Sequence, residues 1–398
     1  MRRLVGFLVN PLAGMGGRVG LGGSDGEQRV AEAHRRGAQP VAPARASRAL
    51  HRLAARRDVG DLTVAVAPDP MGAELAEASG LRTQPLAVPI GSPTTAADTV
   101  AVARAAAAAG VDLLLFAGGD GTAADVLAAV GQSTPLLGIP AGVKMRSGVF
   151  AASPEAAGDL AADHLVRLAR APVGEVHPEL LVPTEVIDAA PGGGGASTGG
   201  GGAAPTGGGG SMQSALVGVA LVPRAGDGRL IGPKSSSALG SSSALDALAE
   251  AVASELDPDT LYLVGPGTTT ARVLAALGLE ASTLGVDAVA GGELVGHDVG
   301  EQEILGLLDG YPRTKLILGV IGGQGMLLGR GNQQLSPRVL ARVSPEDVTI
   351  LSSADKLVAL RPALLRVDVG VEAPFPWLAG YRRVRVAPRR DMLMRVGA

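Results

Sequence analysis

Five consecutive residues, Gly118-Gly119-Asp120-Gly121-Thr122, form the densest chemical signal in the chain. They follow the apolar run Val111–Ala117 and lead into a helix-forming stretch, Thr122–Val130. That is the carboxyl end of a strand facing a helix N-terminus, where α/β sheets place their ligands. Glycines at such a point let backbone N–H groups approach phosphate oxygens closely. An Asp among phosphates is electrostatically unfavourable unless it has a task. Two tasks fit Asp120: accepting a proton from an attacking hydroxyl, or helping to hold Mg²⁺. A tight turn in which Asp120 caps the helix satisfies the same spacing. The stretch also matches G-x-G-x-x-A through Gly119, Gly121 and Ala124. The dinucleotide fingerprint requires an acid about 20 residues further on, and neither Asp125 nor Glu155 is well placed for it.

Two more loops have the same character. Gly265-Pro266-Gly267-Thr268-Thr269-Thr270 lies between a strand and a helix, and its three hydroxyls can cap that helix or contact phosphate and ribose. It can face the first loop across a cleft. Asn10-Pro11-Leu12-Ala13-Gly14-Met15-Gly16-Gly17 follows the first apolar run and is a candidate phosphate or adenine loop. Lys144 comes just after the apolar run Pro135–Ile139 and is a candidate phosphate contact, with an ordinary surface lysine as the alternative. No Walker A sequence is present, since Gly232-Pro233-Lys234-Ser235 lacks the Gly-Lys adjacency. The histidines at 34, 51, 164, 177 and 297 have no metal-ligand spacing, and no metal site is identified.

Positioning these loops requires alternating strands and helices. Leu4–Val9, Leu62–Ala67, Val111–Ala117 and Pro135–Ile139 read as strands. Asp98–Ala109 is Ala-rich and free of Gly and Pro, hence helical. Ser153-Pro154-Glu155 opens a helix to about Arg170, with Ser as N-cap and Pro at the first helical position. This rhythm predicts a parallel sheet with helices on both faces over residues 1–172. Residues 173–398 are then a second domain. Residues 191–211 hold 12 of the 59 glycines and read as a flexible loop joining two strands, Val182–Ile187 and Ala215–Val222, inside that second domain. Ser235–Ser243 reads as a surface loop. Beyond it come a helix over Leu245–Leu256, a strand over Leu261–Val264, a helix over Thr268–Leu277, and strands over Thr283–Val289 and Lys315–Ile321. Tyr381–Ala387 alternates apolar and basic residues, as a half-exposed edge strand would.

Composition narrows the function. The chain has no Cys, which excludes disulfide scaffolds, thiolate zinc sites and cysteine nucleophiles. Lys and Arg total 35 against 38 Asp and Glu, too balanced for charge-driven binding to nucleic acid. Only 8 aromatic residues are present, too few for a base-stacking platform. The apolar stretch Leu4–Val9 is too short for a signal peptide, and Val100–Gly119 is interrupted by Arg104 and Asp112 and cannot span a bilayer as one helix. The expectation is a cytoplasmic protein that binds small-molecule nucleotides, not nucleic acid or membrane, and forms a homo-oligomer, dimer or tetramer.

NPLAGMGG (10–17), FAGGDGTAADV (116–126), LLGIPAGVKM (136–145) and VGPGTTT (264–270) occur in an order that resembles the ATP-NAD kinase superfamily, in particular its AcoX-like branch. Gly331-Asn332-Gln333-Gln334-Leu335-Ser336-Pro337 is similar to the tail of that branch. The resemblance implies an N-terminal Rossmann-like α/β domain and a β-rich second domain, with the active site in the cleft between them. It implies phosphoryl transfer from ATP, with Mg²⁺, or from polyphosphate, to the 2′-hydroxyl of the adenosine ribose of NAD. Asp120 would be the catalytic carboxylate. Asn10, Gly118, Gly119, Gly121, Thr122, Gly142, Lys144 and the run Gly265, Pro266, Gly267, Thr268, Thr269, Thr270 would bind nucleotide. Asp287, Asn332 and Gln333 are candidate substrate contacts. The Asn-Glu pair that grips the NAD ribose in well-studied NAD kinases does not occur in this chain. Two alternatives stay open: a GGDGT-type kinase for a lipid or nucleoside hydroxyl, and a nucleotide-binding accessory protein without turnover.

Overall fold

Leu113–Gly118 is a run of apolar residues and glycine, buried along its whole length, as a strand covered on both faces must be. The computed structural model describes residues 3–21, 27–143, 145–172, 177–189, 214–225, 230, 242–282, 285–322, 325–329, 331–370 and 378–397. The Gly-rich run 191–211, the loop 235–241 and Lys144 lie outside the described residues.

The first half contains β1 (Arg3–Val9), α1 (Glu27–Arg35), α2 (Ala42–Ala54), β2 (Leu62–Val66), α3 (Ala73–Ala78), β3 (Arg82–Pro85), α4 (Ala96–Ala108), β4 (Leu113–Gly118), α5 (Asp120–Val130), β5 (Leu136–Pro140) and α6 (Pro154–Arg170). Its strands form one parallel sheet in the order β3-β2-β1-β4-β5. The order reverses between β1 and β4, so the loops that follow these two strands, Asn10–Gly17 and Gly118–Thr122, flank the crevice where such sheets bind ligands. Helix α6 starts as expected, the Ser153 hydroxyl accepting the Ala156 N–H at 3.1 Å. Of the few aromatics, Phe116 and Phe150 meet edge to face with centroids 5.6 Å apart.

A hairpin follows, β6 (Leu181–Ala189) and β7 (Ser214–Pro223), antiparallel and in a sheet of their own. The sequence placed this pair in the second domain. It packs instead on α5 and β5, and Val186, Ala220 and Val222 are buried in the core of the first sheet. The physical reason is that β5 is the outer strand of that sheet, and the apolar face of a two-stranded ribbon needs a partner to cover it.

The remainder contains α7 (Ser242–Ser254), β8 (Leu261–Val264), α8 (Thr268–Ala276), β9 (Asp287–Ala290), β10 (Glu293–Gly296), α9 (Glu301–Gly310), β11 (Thr314–Gly319), β12 (Met326–Leu328), α10 (Pro337–Leu340), β13 (Val348–Leu351), α11 (Ala354–Ala359), β14 (Leu364–Val367), β15 (Gly380–Ala387) and β16 (Arg390–Gly397). Among the described residues, nine strands form a mixed sheet, β10-β9-β8-β11-β13-β15-β16-β14-β12, with its own apolar core. The strand expected from Thr283 begins only at Asp287. Tyr381–Ala387 is half-exposed as its pattern predicts, but it is not an edge: β15 lies between β13 and β16. Alternation reports one wet face and carries no information about the neighbours on either side.

Helices α2 and α6 cross at Gly158, where a methyl group would lie 2.4 Å from the Ala49 carbonyl oxygen and 3.0 Å from the Leu53 nitrogen. Intrinsic helix propensity favours Ala over Gly by about 1 kcal/mol. Overpacking a fixed backbone contact costs about 1–3 kcal/mol. Packing wins here, so Gly158→Ala lowers stability by up to about 2 kcal/mol in urea unfolding, where an exposed helical glycine would gain from the same change.

Candidate active site

Asp120 is the first residue of α5, and the residue capping that helix is Gly119. Its carboxylate does not cap its own helix. It reaches across to the segment after β5, accepting the Arg146 N–H at 2.7 Å and the Ser147 N–H at 3.0 Å. These two donors fix the carboxylate and were not legible in the sequence, because residues 26 and 27 positions away reach it only through β5 and its loop. Ser147 is fully buried, and its hydroxyl exchanges hydrogen bonds with the backbone of Ile187 on β6 at 2.9 and 3.0 Å. That bond sets the hairpin so that an Asp188 carboxylate oxygen lies 4.0 Å from where a Cβ on Gly121 would stand.

The site's electrostatics follow from this packing. Burial pushes the Asp120 carboxyl above the ordinary aspartate range, the Ser147 and Arg146 donors oppose the rise, and the Asp188 charge adds to it. Asp125, further along α5, is pushed up to about 6 by burial and then by Asp188. His164, by contrast, is buried on α6 and held down at about 4 by desolvation. It is a core histidine, consistent with the scattered spacing of the histidines.

Three loops close around Asp120. The Asn10 amide donates to the Thr122 hydroxyl at 3.0 Å and accepts the Leu12 N–H at 3.1 Å, tying the loop after β1 to the start of α5. Thr122 is buried, and a methyl group on residue 118 would lie 2.4 Å from its Cβ. Gly118 is therefore required by the fold itself. Its carbonyl accepts the Ala141 and Gly142 N–H groups at 2.9 and 3.0 Å. A Cβ on Gly119 would stand 3.3 Å from the Gly142 Cα. Gly14, at φ 81°, backs the same segment, 2.1 Å separating its would-be Cβ from the Ala141 oxygen. Gly121 carries no comparable crowding, the Asp188 oxygen being its nearest neighbour, and it lies in the first turn of α5, the part of a helix suited to an anion.

In the second half, Gly265 and Pro266 are buried after β8, and the Gly265 N–H donates to the Ile317 carbonyl at 2.8 Å. Of the three threonines, Thr270 turns inward, its hydroxyl donating to the Gly267 carbonyl at 3.0 Å. Thr268 is exposed and Thr269 half-buried, so those two hydroxyls face outward at the start of α8.

The three candidate substrate contacts divide. Asp287 is 2 % exposed and accepts from the Ser282 N–H, the Ser282 hydroxyl and the Asp298 N–H, holding a loop in the second domain. Asn332 is 1 % exposed, accepting the Gly329 N–H at 2.8 Å and donating to the Leu327 carbonyl at 2.9 Å. Both side chains are buried and bonded within the protein, Asp287 also lying 3.3 Å from the His297 ring, and they brace loops of the second domain. Gln333 does sit at the junction of the halves. Its amide oxygen occupies the place a Cβ on Gly17 would take, and the neighbouring Asn332 amide lies 4.0 Å from where a Gly265 Cβ would stand. The loop after β1 and the Gly265–Thr270 loop therefore meet on either side of residues 332 and 333. Among the described residues, no group of three His, Cys, Asp or Glu is arranged to hold a metal ion.

The chain matches the ATP-NAD kinase N-terminal domain over residues 5–167 and the ATP-NAD kinase C-terminal domain over residues 258–396. It belongs to the ATP-NAD kinase superfamily. Neither the curated proteins nor the solved structures give a match. The first matched region contains two of the glycine loops just described, Asn10–Gly17 and Gly118–Thr122, and the second contains Gly265–Thr270. No helix among the described residues is long and apolar enough to cross a membrane.

The raised Asp125 value yields a pH test. A carboxyl whose folded pKa exceeds its unfolded value of about 3.9 binds its proton more tightly in the native state. Its favourable contribution is complete below about 4 and is lost as pH rises through the folded value of about 6. Asp125→Asn should accordingly raise the unfolding midpoint at pH 7.5, and the gain should vanish at pH 4. Thermal melts at the two pH values check it, and an equal effect at both contradicts it.

Proposed function

We propose that the chain is an ATP-dependent kinase that phosphorylates the 2′-hydroxyl of the adenosine ribose of NAD, giving NADP. The observation that carries this reading is the Asp120 carboxylate, fixed by two amides from another loop beside the first turn of α5, in a chain holding both ATP-NAD kinase domains. The first-turn N–H groups of α5 suit the phosphates of ATP. The outward Thr268 and Thr269 hydroxyls supply polar contacts from the other side of the cleft.

In this mechanism Asp120 accepts the proton of the ribose hydroxyl as that oxygen bonds to the γ-phosphorus, the bond from the γ-phosphorus to the β,γ-bridging oxygen breaks, and ADP leaves. A carboxyl lifted above its ordinary range is a better proton acceptor than a free aspartate, as the task demands. Mg²⁺ would arrive on the nucleotide, since it commonly takes one or two carboxylates plus substrate phosphates. When bound it would neutralise charge building on the transferred group.

Incubation with ATP, Mg²⁺ and NAD should yield NADP⁺, read by an NADP-specific dehydrogenase. Asp120→Asn should lower the rate by about 10²–10⁴-fold, the range for loss of a general base, with circular dichroism unchanged. Activity should fall on the acid side, with a limb above the ordinary aspartate value of about 3.9. No NADP⁺ from ATP or polyphosphate would refute NAD as acceptor. Thermal stabilisation by NAD and ATP without any product would support binding without turnover.

A further inference from the structure

The two halves are joined by a buried ion network that the sequence did not announce. Arg45 on α2 and Asp368, just after β14, have side chains 8 % and 5 % exposed, and the two terminal guanidinium nitrogens of Arg45 donate to the two carboxylate oxygens of Asp368. Arg48, one turn along α2, sits 3.5 Å from the same carboxylate and binds Glu155 of α6 at 2.6 and 3.0 Å. The Arg45–Asp368 pair is buried and compensated, as a buried charge requires, and the network reaches the surface at Glu155, whose side chain is 40 % exposed.

What distinguishes this network is where each end is anchored. The Arg45 Nε donates to the Pro140 carbonyl, the last residue of β5. Pro140 leads directly into the segment that lies on Gly118 and Gly119 and gives Asp120 its two N–H donors. On the other side, the Asp368 N–H donates to the Leu328 carbonyl at 3.0 Å, and a Cβ on Gly329 would stand 2.1 Å from the Asp368 oxygen. Gly329 in turn is held by the Asn332 amide, beside Gly265. An unbroken series of bonds and contacts therefore runs from the Asp120 carboxylate through Pro140, Arg45, Asp368 and Asn332 to the second glycine loop.

We infer that Arg45 and Asp368 are positioning residues: their ion pair sets the two glycine loops at a fixed separation and, through Pro140, holds the donors that orient Asp120. Neither touches substrate. The consequence for turnover rests on the kinase reading above, whereas the mechanical coupling does not. Spatial continuity alone does not demonstrate coupling, so the test must read both ends.

Full-length protein is compared with Asp368→Asn, which keeps the shape and removes the charge. The second variant is Arg45→Lys, which can retain a charge pair with Asp368 but lacks the fork that also reaches Pro140. Amide hydrogen exchange is read at Arg146, Ser147 and Gly329, with Val64 in β2 as the control. Asp368→Asn should speed exchange at least tenfold on both sides of the pair, while Val64 changes less than twofold. Arg45→Lys should speed Arg146 and Ser147 more than Gly329. In the NADP⁺ assay, kcat should fall at least tenfold in both variants, with KM for either nucleotide within threefold. Unchanged exchange at Arg146 and Ser147 overturns the proposal, as does a uniform rise that includes Val64. If Asp368→Asn does not fold, Arg45→Lys decides by the same criteria. Should wild-type protein make no NADP⁺, the acceptor assignment fails and the exchange data still judge the coupling.

Discussion

Asp120 can be held by the Arg146 and Ser147 amides only if the segment after β5 lies directly on the Gly118-Gly119 turn. That close approach is a steric constraint before it is a chemical one. The Gly118 carbonyl accepts two N–H groups from Ala141 and Gly142, which needs the two backbones in contact with no side chain between them. Gly14 presses on the same segment from the loop after β1, and Thr122 fills the space beneath Gly118 while bonded to Asn10. Several glycines of the motif are thus fixed by one packing problem.

The hairpin and the second sheet build outward from this junction. Ser147 donates its N–H to Asp120 and uses its hydroxyl to set β6, which brings the Asp188 charge near Asp120 and Asp125. Burial comes first in raising both carboxyls, and the like charge adds to it. A low-dielectric pocket with one oriented carboxylate is the arrangement in which a proton acceptor gains basicity without losing its geometry. The second sheet contributes from the opposite side, with the Gly265–Thr270 loop and the residues 332 and 333 that separate it from Gly17.

Much of this was legible in the residues. Continuous apolar runs marked β1, β4 and β5, since strands buried on both faces need no alternation. Ser153-Pro154 marked the start of α6, because N-cap chemistry is local. The five residues from Gly118 marked the carboxyl edge of β4. Less legible were elements whose meaning depends on neighbours: β15 reads as an edge and is internal, and β6 and β7 pair as expected but cover the first core. Asp287 and Asn332 have polar side chains that suit a ligand, yet each is buried and bonded to backbone.

The sequence by itself determined the parallel first sheet, the glycine loops at its strand ends and the place of Asp120 at the carboxyl end of β4. These follow from periodicity and from residue types whose properties are expressed within a few positions. Only the tertiary structure decided what orients Asp120, which one of the three threonines turns inward, and that Arg45 and Asp368 meet although they stand 323 positions apart. The reason is that burial and charge pairing depend on which surfaces come together, and a polar side chain carries no local mark of whether its partner will be solvent, a ligand or a distant carbonyl.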